Sequence, residues 1–443
     1  MKSRLGRRTF LTAAAGAAGT SFWNDLKAEP TLQNVQTSSK PSELKITDMR
    51  IADLPGRPII RLDTNQGIYG LGEVRDGSHK MYALMLKRLV VGENPCSVDK
   101  VFRKIKQFGN HARQGGGVSG VEMALWDLAG KAYNAPIYQM IGGKFRDRIR
   151  IYADTPASPD PKVFGERLKR RVEQGFTFLK MDVTVDLVRN IPGTVTYPEG
   201  HSFAYADPKV HMLTGLEVSD KGVELMADYV GRVREVVGWQ VPIGTDHYGH
   251  MGVNSIIRLG KALSKYNLAW MEDCVPWQYT EHWKQITAAL DLNTLTGEDI
   301  YLKEPFEVLC REHAVDMIQP DLASAGGILE TQKIGEMAQE YGVPMVLHMA
   351  GSPIACMASV HCAAATENFM VLENHSVDDA GWADIVEGIE KPVINKGYIT
   401  LPNGPGLGIT LNEEALKSRV RGGYFLPTPE WDIPQRIDDR HWS

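Results

Sequence analysis

Eight short apolar segments recur along the latter two-thirds of this 443-residue chain, at 149–152, 176–181, 241–245, 268–271, 293–296, 315–318, 344–347 and 369–372. Amphipathic stretches of helical length separate them, among them 253–264 and 330–341. That alternation predicts parallel strands, each returned to the sheet by a crossover helix. Eight units suggest a closed α/β barrel, although a doubly wound open sheet has the same rhythm. The position of polar residues separates the two, because a (β/α) barrel collects its chemistry at the C-terminal ends of several strands. Lys180 and Asp182, Asp246, Glu272, Glu298, Asp321, His348 and Glu373 each end or closely follow one segment. Burying charge without a partner is costly, so core packing alone does not explain ionisable groups on strand after strand. The rim of a barrel does.

Ahead of the barrel, 44–54, 58–62 and 68–74 read as an antiparallel meander with a turn at Thr64-Asn65-Gln66-Gly67. A helix follows from Ser119, where Ser119 and Glu122 have the spacing of a capping box and Val121, Leu125 and Leu128 share one face. These elements make an α+β module over about 44–143. At the start, Arg7-Arg8-Thr9-Phe10-Leu11 precedes a short Ala/Gly-rich run to Thr20, and Ala28 offers a small residue for cleavage. Residues 1–28 therefore resemble a twin-arginine signal, and the mature protein is expected to be exported or periplasmic. No other stretch is apolar for long enough to predict a membrane helix.

The five cysteines are odd in number and spaced for neither a disulfide framework nor zinc, so buried thiols are expected. A net charge of -5 gives no reason to expect nucleic acid. The expected partner is a small molecule.

Asp246, Glu272 and Glu298 lie on three successive strands, so in a barrel their carboxylates point at one spot. Three carboxylates repel unless a cation holds them, and an all-oxygen set favours Mg²⁺, with Mn²⁺ a tolerable substitute. Asp321 and His348 end the next two strands. A lone histidine is more often structural than catalytic. Here Asp321 can accept from one imidazole nitrogen, fixing the tautomer and leaving the other nitrogen as a base.

These residues resemble the mandelate racemase branch of the enolase superfamily. The resemblance rests on Asp246, Glu272 in Trp270-Met271-Glu272-Asp273, Glu298 in Thr296-Gly297-Glu298, Gln319-Pro320-Asp321 with Gly326-Gly327-Ile328, and His348. It also takes in Gly72-Glu73, the run Glu122-Met123-Ala124-Leu125-Trp126-Asp127, and Glu373, and it covers roughly 45–425. Within that branch the chain is most similar to galactonate dehydratase-type enzymes. The resemblance implies a modified (β/α)7β barrel over 144–385, capped by the N-terminal module together with the tail at 386–443. It also implies a symmetric homo-oligomer. Arg57 and the stretch from Arg75 to His79 are its candidate lid contacts.

The implied reaction removes the α-proton of a hydroxy-acid. His348 takes the proton, Mg²⁺ and Lys180 stabilise the developing charge, and Glu373 hydrogen-bonds the substrate from the opposite side. Two departures from the family matter. Where racemases resemble one another in carrying a second lysine, this chain has Asp182, left here as a substrate contact; a base on one face only favours elimination of the 3-hydroxyl over inversion. Where galactonate-type enzymes place an acid histidine two residues after the metal ligand, this chain has Tyr248, with His250 two further on. Either could protonate the leaving hydroxide, or Tyr248 could form a pocket wall. A long polar insertion between Asp186 and Glu217, with His201, Tyr205 and His211, either folds over the rim or is plain surface. The expected activity is an acid-sugar dehydratase giving a 2-keto-3-deoxy acid. An epimerase or cycloisomerase of the same superfamily, or an exported sugar-acid binder without turnover, would share most of these residues.

Overall fold

The computed structural model describes residues 40–110, 112–196, 216–248 and 251–433. The twin-arginine segment, His201, Tyr205, His211 and His250 lie outside the described residues.

The N-terminal module contains the meander β1 (Ile46–Ala52), β2 (Ile59–Thr64) and β3 (Tyr69–Glu73), all antiparallel. Helix α1 (Gly116–Tyr133) packs on it and is buried on nearly every side. It begins three residues before Ser119, so the expected capping box is not formed. Ser119 lies inside the helix, where its Oγ donates to the Gly115 carbonyl at 2.9 Å and accepts from the Gly326 amide at 3.0 Å. Glu122 does cap a helix, but a different one. Capping spacing cannot distinguish a side chain that folds back on its own helix from one that reaches across to another.

The barrel strands are β4 (Arg148–Ala153), β5 (Leu179–Asp182), β6 (Ile243–Asp246), β7 (Met271–Glu272), β8 (Thr294–Thr296), β9 (Met317–Ile318), β10 (Met345–Leu347) and β11 (Phe369–Asn374). Seven helices alternate with them: α2 (Pro161–Glu173), α3 (Asp220–Val237), α4 (Val253–Leu263), α5 (Thr280–Ala289), α6 (Lys303–Arg311), α7 (Ile328–Glu340) and α8 (Pro353–Ala365). The strands run parallel in the order β4-β11-β10-β9-β8-β7-β6-β5, which is the expected (β/α)7β arrangement.

Each of the eight apolar segments overlaps its strand, although the strands at Leu179–Asp182, Ile243–Asp246, Met271–Glu272 and Phe369–Asn374 run one or two residues further than expected. The seam between β4 and β5 carries no ladder in this sheet order. Instead the tail strand β12 (Tyr398–Thr400) pairs antiparallel with β4 and covers its edge. Arg150 crosses the seam, donating to Thr177 Oγ1 at 2.8 Å.

Strand pleating sends alternate residues inward. Tyr152, Phe178, Trp270, Leu295, Met317, Val346 and Val371 form one buried cluster inside the barrel, each from a different strand or its immediate approach. On the remaining strand, β6, Gly244 faces the Trp270 ring, and a Cβ there would lie 2.3 Å from Cε2. This apolar plug fixes what stands above it. Two residues further along their chains come Lys180, Asp246, Glu272, Gln319, His348 and Glu373.

The tail also touches the N-terminal module. The Leu407 amide donates to Asp127 Oδ1 at 2.9 Å, the Arg421 amide to the Asp53 carbonyl at 2.9 Å, and Lys87 pairs with Asp432 at 2.7 Å. Cys274, Cys310, Cys356 and Cys362 are buried free thiols and Cys96 is half-buried. Among the described residues no helix is long and apolar enough to cross a membrane.

Two buried carboxylates of the module reach the barrel. Glu122 accepts from the Ile328 and Leu329 amides at 2.6 and 3.0 Å, capping α7, and from Trp126 Nε1 at 2.7 Å. Gly327 precedes α7 at φ 96°, and a Cβ there would sit 2.0 Å from Glu122 Oε2, so the glycine is required twice over. Glu73 accepts from the Ser352 amide at 2.9 Å and from the Ser352 hydroxyl, at the start of α8. Replacing Glu122 with Ala should cost about 3 kcal/mol by leaving buried donors unpaired, measurable by urea denaturation. A loss below about 0.5 kcal/mol would show that the contact does not hold the two layers together.

Candidate active site

The polar layer above the plug divides into two halves. On β5, β6 and β7 stand Lys180, Asp246 and Glu272, all buried. The Lys180 ammonium donates to Asp246 Oδ2 at 2.9 Å and lies 3.8 Å from Glu272 Oε1 and 2.7 Å from Glu373 Oε1. One ammonium thus faces three carboxylates. Burial opposes a charge on Lys180, but Asp246, Glu272 and Glu373 hold its pKa well above the usual value. Glu272 is pushed the other way, its pKa raised well above normal by burial and by the neighbouring Asp246. Its Oε2 accepts from Trp270 Nε1 at 3.0 Å, while the buried Oε1 has no hydrogen-bond partner among the described residues.

Asp273, the next residue, takes φ 44° and accepts from Thr296 Oγ1 at 2.6 Å. Burial and the charges of Glu298 and Asp246 raise its pKa to about 8. Asp246, Glu272, Asp273 and Glu298 therefore form an acidic arc in which Lys180 and His247 hold the Asp246 pKa below the usual range against burial, while Glu272 and Asp273 are left with raised pKa values. The orphaned Glu272 oxygen and the raised carboxyl pKa values are what a hard divalent cation would relieve. The all-oxygen donor chemistry suits such an ion, which Asp246 and Glu272 would share with Glu298 once Glu298 turned from His348, 3.1 Å away.

The expected trio does not converge as it stands: among the described residues the ligand atoms that lie within 4.8 Å of one another belong to His348, Glu373 and His375, while Glu298 Oε2 faces His348 at 3.1 Å and Asp246 and Glu272 face Lys180. There Lys180 already supplies the counter-charge to Glu373 Oε1. Tyr152 donates to Glu373 Oε2 at 2.8 Å, and its oxygen in turn accepts from Gln319 at 2.8 Å. Glu373 Oε1 also lacks a hydrogen-bond partner among the described residues, but Lys180 and His375 hold its pKa well below the usual range against burial, whereas that of Glu272 is raised.

The other half is the pair at the ends of β9 and β10. His348 Nδ1 lies 2.6 Å from Asp321 Oδ2, and Asp321 Oδ1 accepts from the Ala323 amide at 2.6 Å. The opposite ring nitrogen, Nε2, faces Glu298 Oε2 at 3.1 Å. Burial disfavours a charge on His348, but Glu298 and Asp321 outweigh it and raise the pKa to about 9. Glu298 is thus turned toward the histidine, whereas Asp246 and Glu272 are gathered around Lys180.

Two residues stand elsewhere than expected. Arg75 is no exposed lid contact: it is 1% exposed, and its Nη1 donates to Asp321 Oδ2 at 2.6 Å and lies 3.1 Å from His348 Nδ1. Tyr248 is a core residue, fully buried, with its hydroxyl bonded to Thr245 Oγ1 and burial raising its pKa well above normal. The chain turns at His247, which has φ 60°, and this breaks the alternation that would have sent Tyr248 inward.

His247 itself meets the site. Its Nδ1 lies 2.8 Å from Asp246 Oδ2 and 3.7 Å from Asp182 Oδ1, and the ring is half-exposed at the rim. The hydrogen bond to Asp246 raises its pKa to about 9, and burial raises that of Asp182 to about 6. His375 was also missed, although it lies two residues beyond Glu373 and continues the inward alternation. Its Nε2 lies 3.2 Å from Glu373 Oε1 and its ring stands edge-on to His348, with centroids 5.1 Å apart.

Comparison with known proteins places this geometry among relatives. Residues 27–142 match the mandelate racemase / muconate lactonizing enzyme N-terminal domain, and residues 163–415 match the enolase C-terminal domain-like family. A D-xylonate dehydratase of Haloferax volcanii is 32% identical over 414 residues, covering 91% of this chain and 95% of that protein. A D-galactonate dehydratase of Pectobacterium atrosepticum is 26% identical, covering 88% and 98%. A mandelate racemase/muconate lactonizing enzyme-like protein from Rubrobacter xylanophilus has a solved structure that superposes with a TM-score of 0.76 at 29% identity, covering 86% of this chain and 99% of that one.

Proposed function

We propose a reaction from one premise: the chain belongs to the mandelate racemase / muconate lactonizing enzyme branch of the enolase superfamily. It is a hydro-lyase of that superfamily, and the reaction we assign is dehydration of an acid sugar, an aldonate or aldarate, to a 2-keto-3-deoxy acid. The observation that carries the assignment is the Asp321–His348 pair, set beside a buried acidic arc in which Glu272 Oε1 has no hydrogen-bond partner among the described residues.

Asp246, Glu272 and Glu298 would hold a Mg²⁺ ion, or Mn²⁺ in its place, with the Asp273 carboxyl behind them. When bound, that ion supplies Lewis-acid stabilisation of negative charge growing on the substrate carboxylate. Lys180 adds a fixed positive charge at the same place, and Glu373, held by Tyr152 and Gln319, offers an acceptor opposite.

His348 Nε2 takes the proton from C2. Glu298 is the largest of the groups that lift the His348 pKa, so engaging Glu298 elsewhere leaves burial and Arg75 opposed by Asp321 and Glu373. Breaking the C3–O bond releases the 3-hydroxyl, which leaves as water on receiving a proton. The enol left behind tautomerises to the 2-keto acid. His247, at the rim beside Asp246 and Asp182, takes the donor's place that Tyr248 cannot. With Asp182 where a second lysine base would stand, only one face of C2 meets a strong base, which favours elimination over inversion. Arg7-Arg8 supports export of the mature chain.

A panel of acid sugars that includes D-xylonate and D-galactonate, incubated with the mature protein and Mg²⁺, tests the assignment. We expect at least one to yield a 2-keto-3-deoxy acid. Epimerisation or lactone isomerisation without loss of water would overturn it, as would tight binding with no exchange of the α-proton.

A further inference from the structure

We propose that Arg75, supplied by the N-terminal module, is a positioning residue that holds Asp321 and through it the imidazole of His348, so that docking of the module completes the proton-abstracting pair. The inference deepens the dehydratase reading and rests on it for its kinetic readouts.

Three observations carry it. First, both oxygens of Asp321 are engaged. Oδ1 accepts from the Ala323 amide, while Oδ2 receives His348 Nδ1 at 2.6 Å and Arg75 Nη1 at 2.6 Å. Without Arg75, the oxygen that orients the ring would be held by the ring alone.

Second, Arg75 is built in. It is 1% exposed, its Cβ leaves no room for a side chain at Gly116, and its Nη1 is tied to Asp76 Oδ1 at 2.5 Å. Among the described residues its Nη2 has no hydrogen-bond partner, and it faces Glu298 Oε1 at 3.6 Å and Asp299 Oδ1 at 3.7 Å. A buried, incompletely bonded guanidinium is costly if its only purpose is to join two layers.

Third, the module grips this half of the barrel at two further points. Glu73, two residues before Arg75, holds the start of α8, which follows the strand bearing His348. Glu122 holds the start of α7, which follows the strand bearing Asp321. Lys180, Asp246 and Glu272 are held among the barrel's own side chains. The module thus fixes the base, while the barrel fixes the acidic arc.

Partners that orient a catalytic group from behind typically contribute about 10- to 100-fold. The experiment compares full-length wild type with Arg75→Met and Arg75→Ala, using the acid sugar found by the panel. We expect kcat and solvent-deuterium exchange at C2 to fall together by about 10- to 100-fold, with KM within about threefold, because Arg75 acts through His348 and not on the substrate. Guanidinium chloride at low millimolar concentration should restore part of the Arg75→Ala rate, and methylammonium at the same concentration should not.

A KM-only loss would make Arg75 a substrate contact and overturn the proposal. So would unchanged kcat, or failure of guanidinium to restore a variant that melts like wild type. A readout free of substrate separates this proposal from the dehydratase reading: the downfield Nδ1–H proton resonance of His348, identified by its loss in His348→Asn. That resonance should shift or broaden in Arg75→Met. An unchanged resonance defeats the positioning role even if wild type turns over no acid sugar, and a wild type without turnover whose resonance does shift defeats only the dehydratase reading.

Discussion

His348→Asn is expected to lose about 10³-fold or more in dehydration and to stop exchanging the substrate's α-proton with deuterated solvent. Asparagine keeps a donor that can reach Asp321 but has no basic nitrogen to aim at C2. Binding should survive, because the positive charges that would meet the carboxylate, Lys180 and the cation that the acidic arc would hold, sit on the other half of the site. A variant that still exchanges the α-proton at the wild-type rate would remove His348 from the reaction. Loss of binding along with turnover would mean that the imidazole holds the substrate rather than deprotonating it.

The second large effect is expected at Glu272. Glu272→Gln keeps the shape and a hydrogen-bonding oxygen but removes one negative charge from the arc. The cation's contribution is several kcal/mol, so loss of its ligand should lower kcat on the order of 10³-fold, as should chelation of wild type. Chelation should be reversed by Mg²⁺ or Mn²⁺ and the substitution should not. Folding should respond in the opposite sense. Glu272 is a buried carboxyl whose pKa is raised in the folded state, so without metal its ionisation opposes folding as pH rises above the usual carboxylate range. Metal-free Glu272→Gln should then be at least as stable as metal-free wild type near neutral pH, as read by thermal melting. Full activity after chelation, or marked destabilisation of the metal-free variant, would contradict the assignment of the arc.

Much of the barrel was legible because the two periodicities that build it are local. Short apolar runs alternating with amphipathic ones locate strands and helices, and period-two pleating carries each inward apolar residue to an inward polar one. Lys180, Asp246, Glu272, His348 and Glu373 were singled out because each ends or closely follows such a run, and the pleating accounts for their facing inward. The same rule, followed further, points to His375.

It failed where the backbone leaves the strand geometry. Positive φ at His247 exchanges the places expected for His247 and Tyr248, and positive φ at Asp273 lets the residue after Glu272 join the acidic arc. The remaining misses are contacts between distant parts of the chain. The spacing of Ser119 and Glu122 could not show that Glu122 caps α7, 206 residues away. Nothing local to Arg75 shows that it lies against Asp321, 246 residues on. The strand that covers the open edge of β4 comes from the tail for the same reason: pairing partners are chosen by the assembled barrel.

Anomalous diffraction from crystals soaked in Mn²⁺ tests the central claim most directly. The account predicts a single strong peak within bonding distance of Asp246, Glu272 and Glu298, with Glu298 swung away from His348 and Nε2 of that ring left facing the adjoining space. A peak between His348, Glu373 and His375, or none at all, would contradict it.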